Sequence, residues 1–237
     1  MINLPETVKK IYPGVSAVLT SPGMIAHCGH VFNSKGAPMA IVRTNWSTVY
    51  AFHLDYNDAE TVQAMSITDA VIAGAEMVLV SLTLKTGSEA RDAENVELFC
   101  SLVNEAKRFG IPVIGESFMA YSRRLPDDEM HEQVYRSCRI LAELGADVIK
   151  TFYTYKFKEV TESCPVPVLG LGSEKTPKQK QALELAEKIV QDGGRGVVYG
   201  RNAVQIPDPT TFQKSLCDVV QNGITAADAV QKYNLVD

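Results

Sequence analysis

The sequence has no long apolar run. None of its hydrophobic stretches approaches the ~20 residues that a membrane-spanning helix needs. The opening residues MINLPETVKK have neither the apolar core nor the small-residue cleavage site of a signal peptide. These absences predict a cytoplasmic protein that has no membrane partner.

Cysteine, histidine and charge of one sign are also sparse. The five cysteines are odd in number and form no CxxC pair, which argues against a disulfide framework and a structural zinc. His27 and His30 are spaced like a ligand pair, but no third ligand accompanies them, so we expect no metal; no cofactor is expected either. With 23 Lys+Arg against 28 Asp+Glu the net charge is −5, and the scattered basic residues form no stripe. A nucleic-acid partner is therefore not expected.

What the chain does have is an alternation of short β-branched apolar runs with longer segments of helical period. This pattern is typical of βα units around a parallel sheet. Seven such runs predict strands: 14–21, 38–44, 75–82, 111–117, 146–152, 166–172 and 195–200.

Helices are predicted between the strands. Thr176 followed by Pro177 indicates a capped helix start with proline in the first turn. No linker divides the chain, so we expect one domain over 1–237. The predicted helices cover 67–74, 90–110, 127–145 and 176–194, and residues 208–237 form one or two closing helices.

The fold class predicted from this order is α/β, as a TIM (β/α)8 barrel. A length of 237 residues suits such a barrel. A full barrel needs eight strands, however, and residues Met1 to Leu4 are too few to form another. We therefore expect a barrel whose first strand is missing from this chain.

Lys150 interrupts the apolar strand ADVIKTF. Strands of a parallel sheet covered by helices are buried on both faces, so a lysine there needs an explanation. Burial disfavours the ammonium form, and a neutral amine can attack a carbonyl to form a Schiff base. The alternative is a lysine paired with a carboxylate or reaching out of the barrel mouth, and the spacing alone leaves both open.

Glu116 interrupts another strand at its carboxyl end, where barrel active sites lie. It is a candidate for proton exchange with a substrate hydroxyl or for holding Lys150. The alternative is an ordinary ion pair with Arg123 or Arg124. Arg43 also ends a strand and is a candidate clamp for an anionic group, or else a solvated or paired arginine.

Glycine-bearing turns follow the last two predicted strands. Gly172 and Ser173 follow one strand, and Gly200 ends the next. Glycine lets backbone N–H groups approach a ligand closely, and the loops after the last two barrel strands often bind phosphate. Ordinary turn chemistry is the alternative for either turn alone.

Three phrases carry a family resemblance: GADVIKTFY with Lys150, CPVPVLGLGSEKTP, and GGRGVVYGRNAVQ. Together they resemble the class I aldolases that include the archaeal-type fructose-bisphosphate aldolases, in the branch that contains 3-hydroxy-5-phosphonooxypentane-2,4-dione thiolase. The resemblance implies a TIM barrel in which Lys150 is the Schiff-base lysine. It also implies that Gly172, Ser173, Gly200 and Arg201 hold a substrate phosphate.

The resemblance further implies a large homo-oligomer, commonly a decamer of two pentameric rings.

The sequence departs from the family pattern at two positions that bear on proton transfer. The family's first strand ends in an Asp-His-Gly motif that has no counterpart here, and Phe118 replaces a tyrosine used as acid/base. Glu116 is then the expected proton-transfer group.

The candidate residues and the resemblance leave three possible functions for this protein. The first is a metal-independent class I aldolase acting on a phosphorylated ketose or diketone. The second is acetyl transfer from the phosphorylated pentanedione to coenzyme A. The third, suggested by the missing strand, is a catalytically impaired subunit that binds phosphosugars.

Overall fold

The computed structural model describes residues 4–51, 54, 56, 58–119, 125–172 and 174–235. In these residues the strands are β1 (Ala17–Thr20), β2 (Met39–Arg43), β3 (Asn45–Ser47), β4 (Thr61–Gln63), β5 (Met77–Leu82), β6 (Val113–Ser117), β7 (Val148–Phe152), β8 (Val168–Leu171) and β9 (Gly196–Val198).

The α-helices of the same residues are α1 (Leu4–Val8), α2 (Pro22–Cys28), α3 (Ile67–Ile72), α4 (Glu89–Phe109), α5 (Asp127–Glu143), α6 (Phe157–Ser163), α7 (Gln179–Gln191), α8 (Arg201–Val204), α9 (Pro209–Asn222) and α10 (Ala226–Tyr233). Short 3₁₀ helices cover Gly29–Phe32 and Thr48–Tyr50. None of these helices is long and apolar enough to cross a membrane.

Seven strands form one parallel sheet in the order β1-β2-β5-β6-β7-β8-β9. The sheet curls, and helices surround it as a partial barrel. All seven strands predicted from the sequence are confirmed, and so is the α/β barrel class. Within the described residues no strand pairs with the outer edge of β1 or of β9, so the sheet is open at one seam.

Helix α9 lies across this seam and contacts the segment that precedes β1. The Gln213 side chain accepts a hydrogen bond from the Tyr12 backbone N–H at 2.7 Å and donates to the Ala203 carbonyl at 3.0 Å. The Thr210 hydroxyl donates to the Lys10 carbonyl at 3.1 Å. Side chains of α9 therefore connect the two ends of the open sheet.

The antiparallel hairpin β3–β4 is not predicted by the sequence pattern. Its strands have three residues each, and Trp46, which pairs with Val62, is exposed like its partner. Strands this short show no reliable alternation. The hairpin lies in the connection between β2 and β5, and the Thr44 carbonyl anchors it by accepting from the backbone N–H groups of Ala64 and Met65.

The predicted start of α7 at Thr176–Pro177 is wrong, because the helix begins at Gln179. Thr176 is bound elsewhere: its backbone N–H donates to the Asn202 side-chain oxygen at 2.8 Å, and its hydroxyl lies 3.2 Å from the same atom. A tertiary contact has taken the residue that would otherwise cap the helix.

The main core lies between the sheet and its helices, and includes Phe99 of α4, Leu141 of α5 and Ile189 of α7. Glycine in the strands lets these helices approach closely. A Cβ added at Gly115 would lie 2.8 Å from the Ala146 Cβ, and one at Gly170 would lie 2.5 Å from Ile189. Close contacts with glycine therefore hold the outer face of the sheet against its surroundings.

Candidate active site

Ser81, Glu116 and Lys150 form a row across three neighbouring strands. Ser81 of β5 is in register with Glu116 of β6, which is in register with Lys150 of β7. Residues in register on adjacent strands have their side chains on the same face of the sheet. All three are buried, with Glu116 only 1% exposed and Lys150 8% exposed. The sheet therefore brings a carboxylate and an amine together.

Glu116 is paired with two cations. The Lys150 Nζ contacts Glu116 Oε1, and Arg43 Nη1 lies 2.6 Å from Glu116 Oε2. Lys150 is therefore buried and paired with a carboxylate, as one of the two alternatives predicted, and its role as the Schiff-base lysine stays a prediction. Arg123 and Arg124, suggested as partners of Glu116, lie outside the described residues.

The second oxygen of Glu116 is surrounded by donors. Besides Arg43, the hydroxyl of Ser81 donates to Oε2, and the hydroxyl of Tyr50 lies 3.4 Å away. The same Arg43 nitrogen lies 2.6 Å from the Ser81 hydroxyl and 2.7 Å from the Tyr50 hydroxyl. Arg43 is therefore engaged with Glu116, and a further role as an anion clamp stays a prediction.

The charged groups around Glu116 determine the protonation of Glu116 and of Tyr50. Burial alone raises the pKa of Glu116, but attraction by Lys150 and then by Arg43 outweighs it and lowers that pKa to about 2. Burial, reinforced by the Glu116 carboxylate, raises the pKa of Tyr50. At neutral pH Glu116 is thus ionised and Tyr50 is a neutral phenol.

Asn45, two residues beyond β2, fixes the backbone at Ser81. Its side-chain nitrogen donates to the Ser81 carbonyl at 2.7 Å, and its oxygen accepts from the Ser81 N–H at 2.9 Å. Asn45 is fully buried. Asn45, the first residue of β3, therefore fixes the end of β5 that carries Ser81.

The glycine turns lie at the same edge of the sheet. Gly172 and Gly200 follow β8 and β9, which are adjacent strands with Leu171 paired to Val198. Gly172 is buried, and its own N–H donates to the Val198 carbonyl at 3.2 Å. Arg201 begins the short helix α8 and is exposed. Ser173, the remaining predicted phosphate residue, lies outside the described residues.

Asn202 holds the loop between β8 and α7. Its Nδ2 donates to the carbonyls of Gly172 and Glu174, each at 2.9 Å, and its Oδ1 accepts from the Thr176 N–H. Asn202 is only 4% exposed. A single side chain thus connects the turn after β9 to the loop after β8.

Gly172→Ala is expected to destabilise the protein by about 1–3 kcal/mol, the usual cost of forcing a side chain into packed surroundings. A Cβ at Gly172 would lie 2.6 Å from the Tyr199 ring, whereas one at Gly200 has nothing within 4 Å. Gly200→Ala, at a backbone φ of −104°, is the matched control and should leave stability nearly unchanged. Urea unfolding of the two variants measures the difference, and equal midpoints would contradict the packing argument.

A separate cleft of about 490 Å³ lies beside the β3–β4 hairpin. It is lined by Trp46, Thr48, Tyr56, Asp58 and Glu60. None of these is among the residues that surround Glu116. In the described part of the chain no three His, Cys, Asp or Glu side chains gather as a metal site.

Four residues of this region were missed by the sequence analysis: Ser81, Tyr50, Asn45 and Asn202. Ser81 carried a usable signal, because it is a polar residue near the end of an apolar strand, as Glu116 is. Asn202 stands in the GRN phrase, although no role was assigned to it. Tyr50 and Asn45 gave no signal, since their roles depend on an unpredicted hairpin.

Comparison with known sequences gives relatives that are aldolases or related enzymes. The chain is 28% identical over 234 residues to an uncharacterized aldolase of Saccharolobus solfataricus, covering 97% of this chain and 86% of that relative. It is 31% identical over 183 residues to 3-hydroxy-5-phosphonooxypentane-2,4-dione thiolase of Yersinia pestis, covering 76% of this chain and 59% of the thiolase. The chain therefore spans little more than half of the thiolase's length.

Comparison with solved structures also gives aldolases. An archaeal fructose 1,6-bisphosphate aldolase superposes with a TM-score of 0.76 at 25% identity, covering 93% of this chain and 82% of that chain. A similar match, with a TM-score of 0.76, 25% identity and coverages of 92% and 82%, is an archaeal fructose-1,6-bisphosphate aldolase whose catalytic lysine is covalently bound to the carbinolamine intermediate. A family model for DeoC/LacD family aldolases matches residues 1–206, and the chain belongs to that family.

Proposed function

We propose that this protein is a class I aldolase in which Lys150 forms a Schiff base with the carbonyl of a phosphorylated ketose or diketone. The observation that carries the proposal is the buried Lys150–Glu116 pair at the carboxyl edge of the parallel sheet. A strand lysine beside a carboxylate has both a nucleophilic nitrogen and a group that can take its proton.

The reaction begins when Lys150 passes a proton to Glu116. This transfer is uphill from the ionised pair, but it also removes the Lys150 charge that lowers the pKa of Glu116, and addition of the amine to the carbonyl draws it forward. The neutral amine adds to the substrate carbonyl and forms a carbinolamine, whose hydroxyl leaves as water after accepting the proton from Glu116. The resulting iminium withdraws electrons from the neighbouring C–C bond. As that bond breaks, Glu116 takes the proton of the substrate hydroxyl, an aldehyde leaves, and the electron pair remains as an enamine.

A phosphate on the substrate is assigned to the turns that carry Gly172, Ser173, Gly200 and Arg201. Gly172 and Gly200 follow neighbouring strands, and Asn202 fixes the loop between β8 and α7. The names of two relatives support a phosphorylated substrate, since a fructose bisphosphate and a phosphonooxypentanedione both carry phosphate. Arg43 reaches a second anionic group through nitrogens other than the one at Glu116.

Trapping of the imine tests this proposal. The protein is mixed with dihydroxyacetone phosphate, reduced with sodium borohydride and weighed by mass spectrometry. The wild type is expected to gain the mass of the reduced adduct, and Lys150→Ala is expected to gain none, because the nitrogen that forms the imine is gone.

Peptide mapping completes the experiment by locating the adduct. Lys85→Ala is the control for non-specific labelling, since Lys85 lies on the surface in an exposed pair with Glu129 and should leave the adduct intact. If the wild type gains no mass with either dihydroxyacetone phosphate or the phosphorylated pentanedione, the Schiff-base proposal is wrong.

Acetyl transfer to coenzyme A is the second candidate, and the 31% identity to the Yersinia pestis thiolase favours it. It uses the same lysine but needs room for coenzyme A. Incubating the phosphorylated pentanedione with and without coenzyme A separates the two functions. Formation of acetyl-CoA supports the thiolase, and cleavage that is independent of coenzyme A supports the aldolase.

We also propose a homo-oligomer for the working enzyme, in keeping with the family resemblance. Light scattering would give the mass in solution as a multiple of the 25.9 kDa chain.

A further inference from the structure

The side chains of Arg43, Tyr50, Ser81 and Lys150 gather around Glu116. Among the described residues of this Glu116 cluster, Tyr50 alone comes from outside the parallel sheet. It ends the 3₁₀ helix Thr48–Tyr50, which follows β3 of the hairpin. Its ring meets that of Phe118 edge to face, with centroids 5.1 Å apart, and Arg43 Cζ lies 4.6 Å from its centroid. These contacts direct the phenol hydroxyl into the cluster.

Donor and acceptor chemistry fixes where the hydroxyl proton of Tyr50 points. An arginine has only donors, and an ionised carboxylate has only acceptors. The Tyr50 oxygen, 2.7 Å from Arg43 Nη1, therefore accepts from Arg43, and its proton faces Glu116 Oε2 at 3.4 Å. This separation is longer than an ordinary O–H···O hydrogen bond. The hydrogen bond to Glu116 is therefore weak, and the hydroxyl is free to turn towards a nearer acceptor.

Glu116 is poorly suited to deliver a proton to carbon itself. Lys150 contacts its Oε1, while Arg43 and Ser81 occupy Oε2. Two cations stabilise its ionised form, so protonated Glu116 passes its proton on readily to a neighbouring base. The phenolate of Tyr50, formed once its hydroxyl has given up a proton, would be that base, because its oxygen lies 3.4 Å from the same carboxylate.

We propose that Tyr50 is the proton donor to the substrate enamine carbon, and that Glu116 then restores its proton. This step rests on the proposed Schiff-base function. The Tyr50 O–H bond breaks, a C–H bond forms at the carbon next to the imine carbon, and the enamine nitrogen's electron pair becomes the C=N bond of an iminium. Arg43 stabilises the phenolate until Glu116 returns the proton that it took from the cleaved hydroxyl.

The geometry accounts for the reach. Tyr50 lies by one oxygen of the Glu116 carboxylate and Lys150 by the other, so a single carboxylate links the phenol hydroxyl to the amine. The carbon to be protonated is separated from Nζ by a single carbon atom. A substrate bound to Lys150 therefore has this carbon beside the Glu116 carboxylate, within the region that the Tyr50 hydroxyl faces.

Tyr50→Phe separates the proton-transfer step from imine formation. Two readouts are taken with dihydroxyacetone phosphate: the borohydride adduct, and the exchange of the α-hydrogen with D₂O followed by NMR. Exchange requires proton return to the enamine carbon, whereas the adduct does not. We expect an adduct comparable to the wild type and an exchange rate lower by roughly 10²–10⁴-fold, the range for general acid–base groups.

Tyr153→Phe is the matched control, since its hydroxyl also bonds a carboxylate, Asp192, at 2.8 Å, away from Glu116. It should retain both adduct and exchange. Equal exchange in Tyr50→Phe and wild type would overturn the assignment of Tyr50 alone. Loss of the adduct in Tyr50→Phe would also overturn it, because Tyr50 would then act earlier by positioning Glu116. A wild type that forms no adduct contradicts the Schiff base itself, and the Tyr50 step falls with it.

Discussion

Lys150→Arg is expected to lower kcat/KM for C–C cleavage by roughly 10⁴-fold or more, the scale found when a covalent nucleophile is removed. Arginine keeps a positive charge beside Glu116, so the buried ion pair is retained. A guanidinium does not lose its proton in a protein and cannot form the imine. The variant therefore removes the nucleophile while leaving the charge balance of the cluster unchanged.

Steady-state cleavage rates measure this effect, and denaturant unfolding confirms that the variant is folded. Lys85→Arg provides the matched substitution at an exposed site, where the pair with Glu129 is solvated, and it should show wild-type rates. A folded Lys150→Arg protein whose rate stays within about tenfold of the wild type would show that the reaction does not use an imine at this lysine.

Glu116→Gln is expected to destabilise the fold by about 3–5 kcal/mol, the cost of removing one partner from a buried ion pair. The substitution leaves Lys150 and Arg43 in the sheet interior without a counter-charge. Glutamine preserves the shape, so the loss reports the missing charge and the one lost acceptor, not a change of volume. Urea unfolding at neutral pH gives the value.

The difference in stability between the wild type and Glu116→Gln should depend on pH. The pKa of Glu116 is lowered from its ordinary value of 4.5 to about 2 in the folded state. A carboxylate with a depressed pKa stabilises the fold fully above its unfolded value and loses that contribution as the pH falls through its folded value. The gap between wild type and Glu116→Gln should therefore be constant above pH 5 and shrink towards pH 2.

Glu143→Gln is the control for this experiment, because Glu143 pairs with Arg139 on the surface of α5, where both side chains are solvated. Exposed pairs of this kind contribute little to stability. A Glu116→Gln protein as stable as Glu143→Gln would contradict the view that the Glu116 carboxylate balances the buried Lys150 and the partly buried Arg43.

The strands of the barrel could be predicted from the sequence, because each one is an apolar run between helices of clear period. Lys150 and Glu116 could be identified for the same reason, since a charged residue in such a run is easily noticed. Their pairing was one of the alternatives for Glu116, but the sequence could not decide it, because the register of neighbouring parallel strands depends on how the intervening helices pack. That register places Glu116 opposite Lys150.

The remainder of the site depends on tertiary contacts that local pattern does not encode. Tyr50 and Asn45 belong to a connection whose short hairpin strands show no alternation, yet both reach the ends of the central strands. The start of α7 was misplaced for a similar reason, since Asn202, 26 residues later in the chain, binds Thr176. Local propensity was overridden there by a contact between two loops.

The open seam between β1 and β9 has a consequence for the dynamics of the molecule. In the described part of the chain, the two sheet ends are connected through the side chains of α9, among them Gln213, while the central strands are paired on both sides. Local opening is easiest where the fewest backbone hydrogen bonds must break. Once α9 detaches, β1 and β9 would each be held only by the one neighbouring strand, and we expect them to open before the rest of the sheet. Strands β5, β6 and β7, which carry Ser81, Glu116 and Lys150, would keep their amide hydrogens protected from exchange.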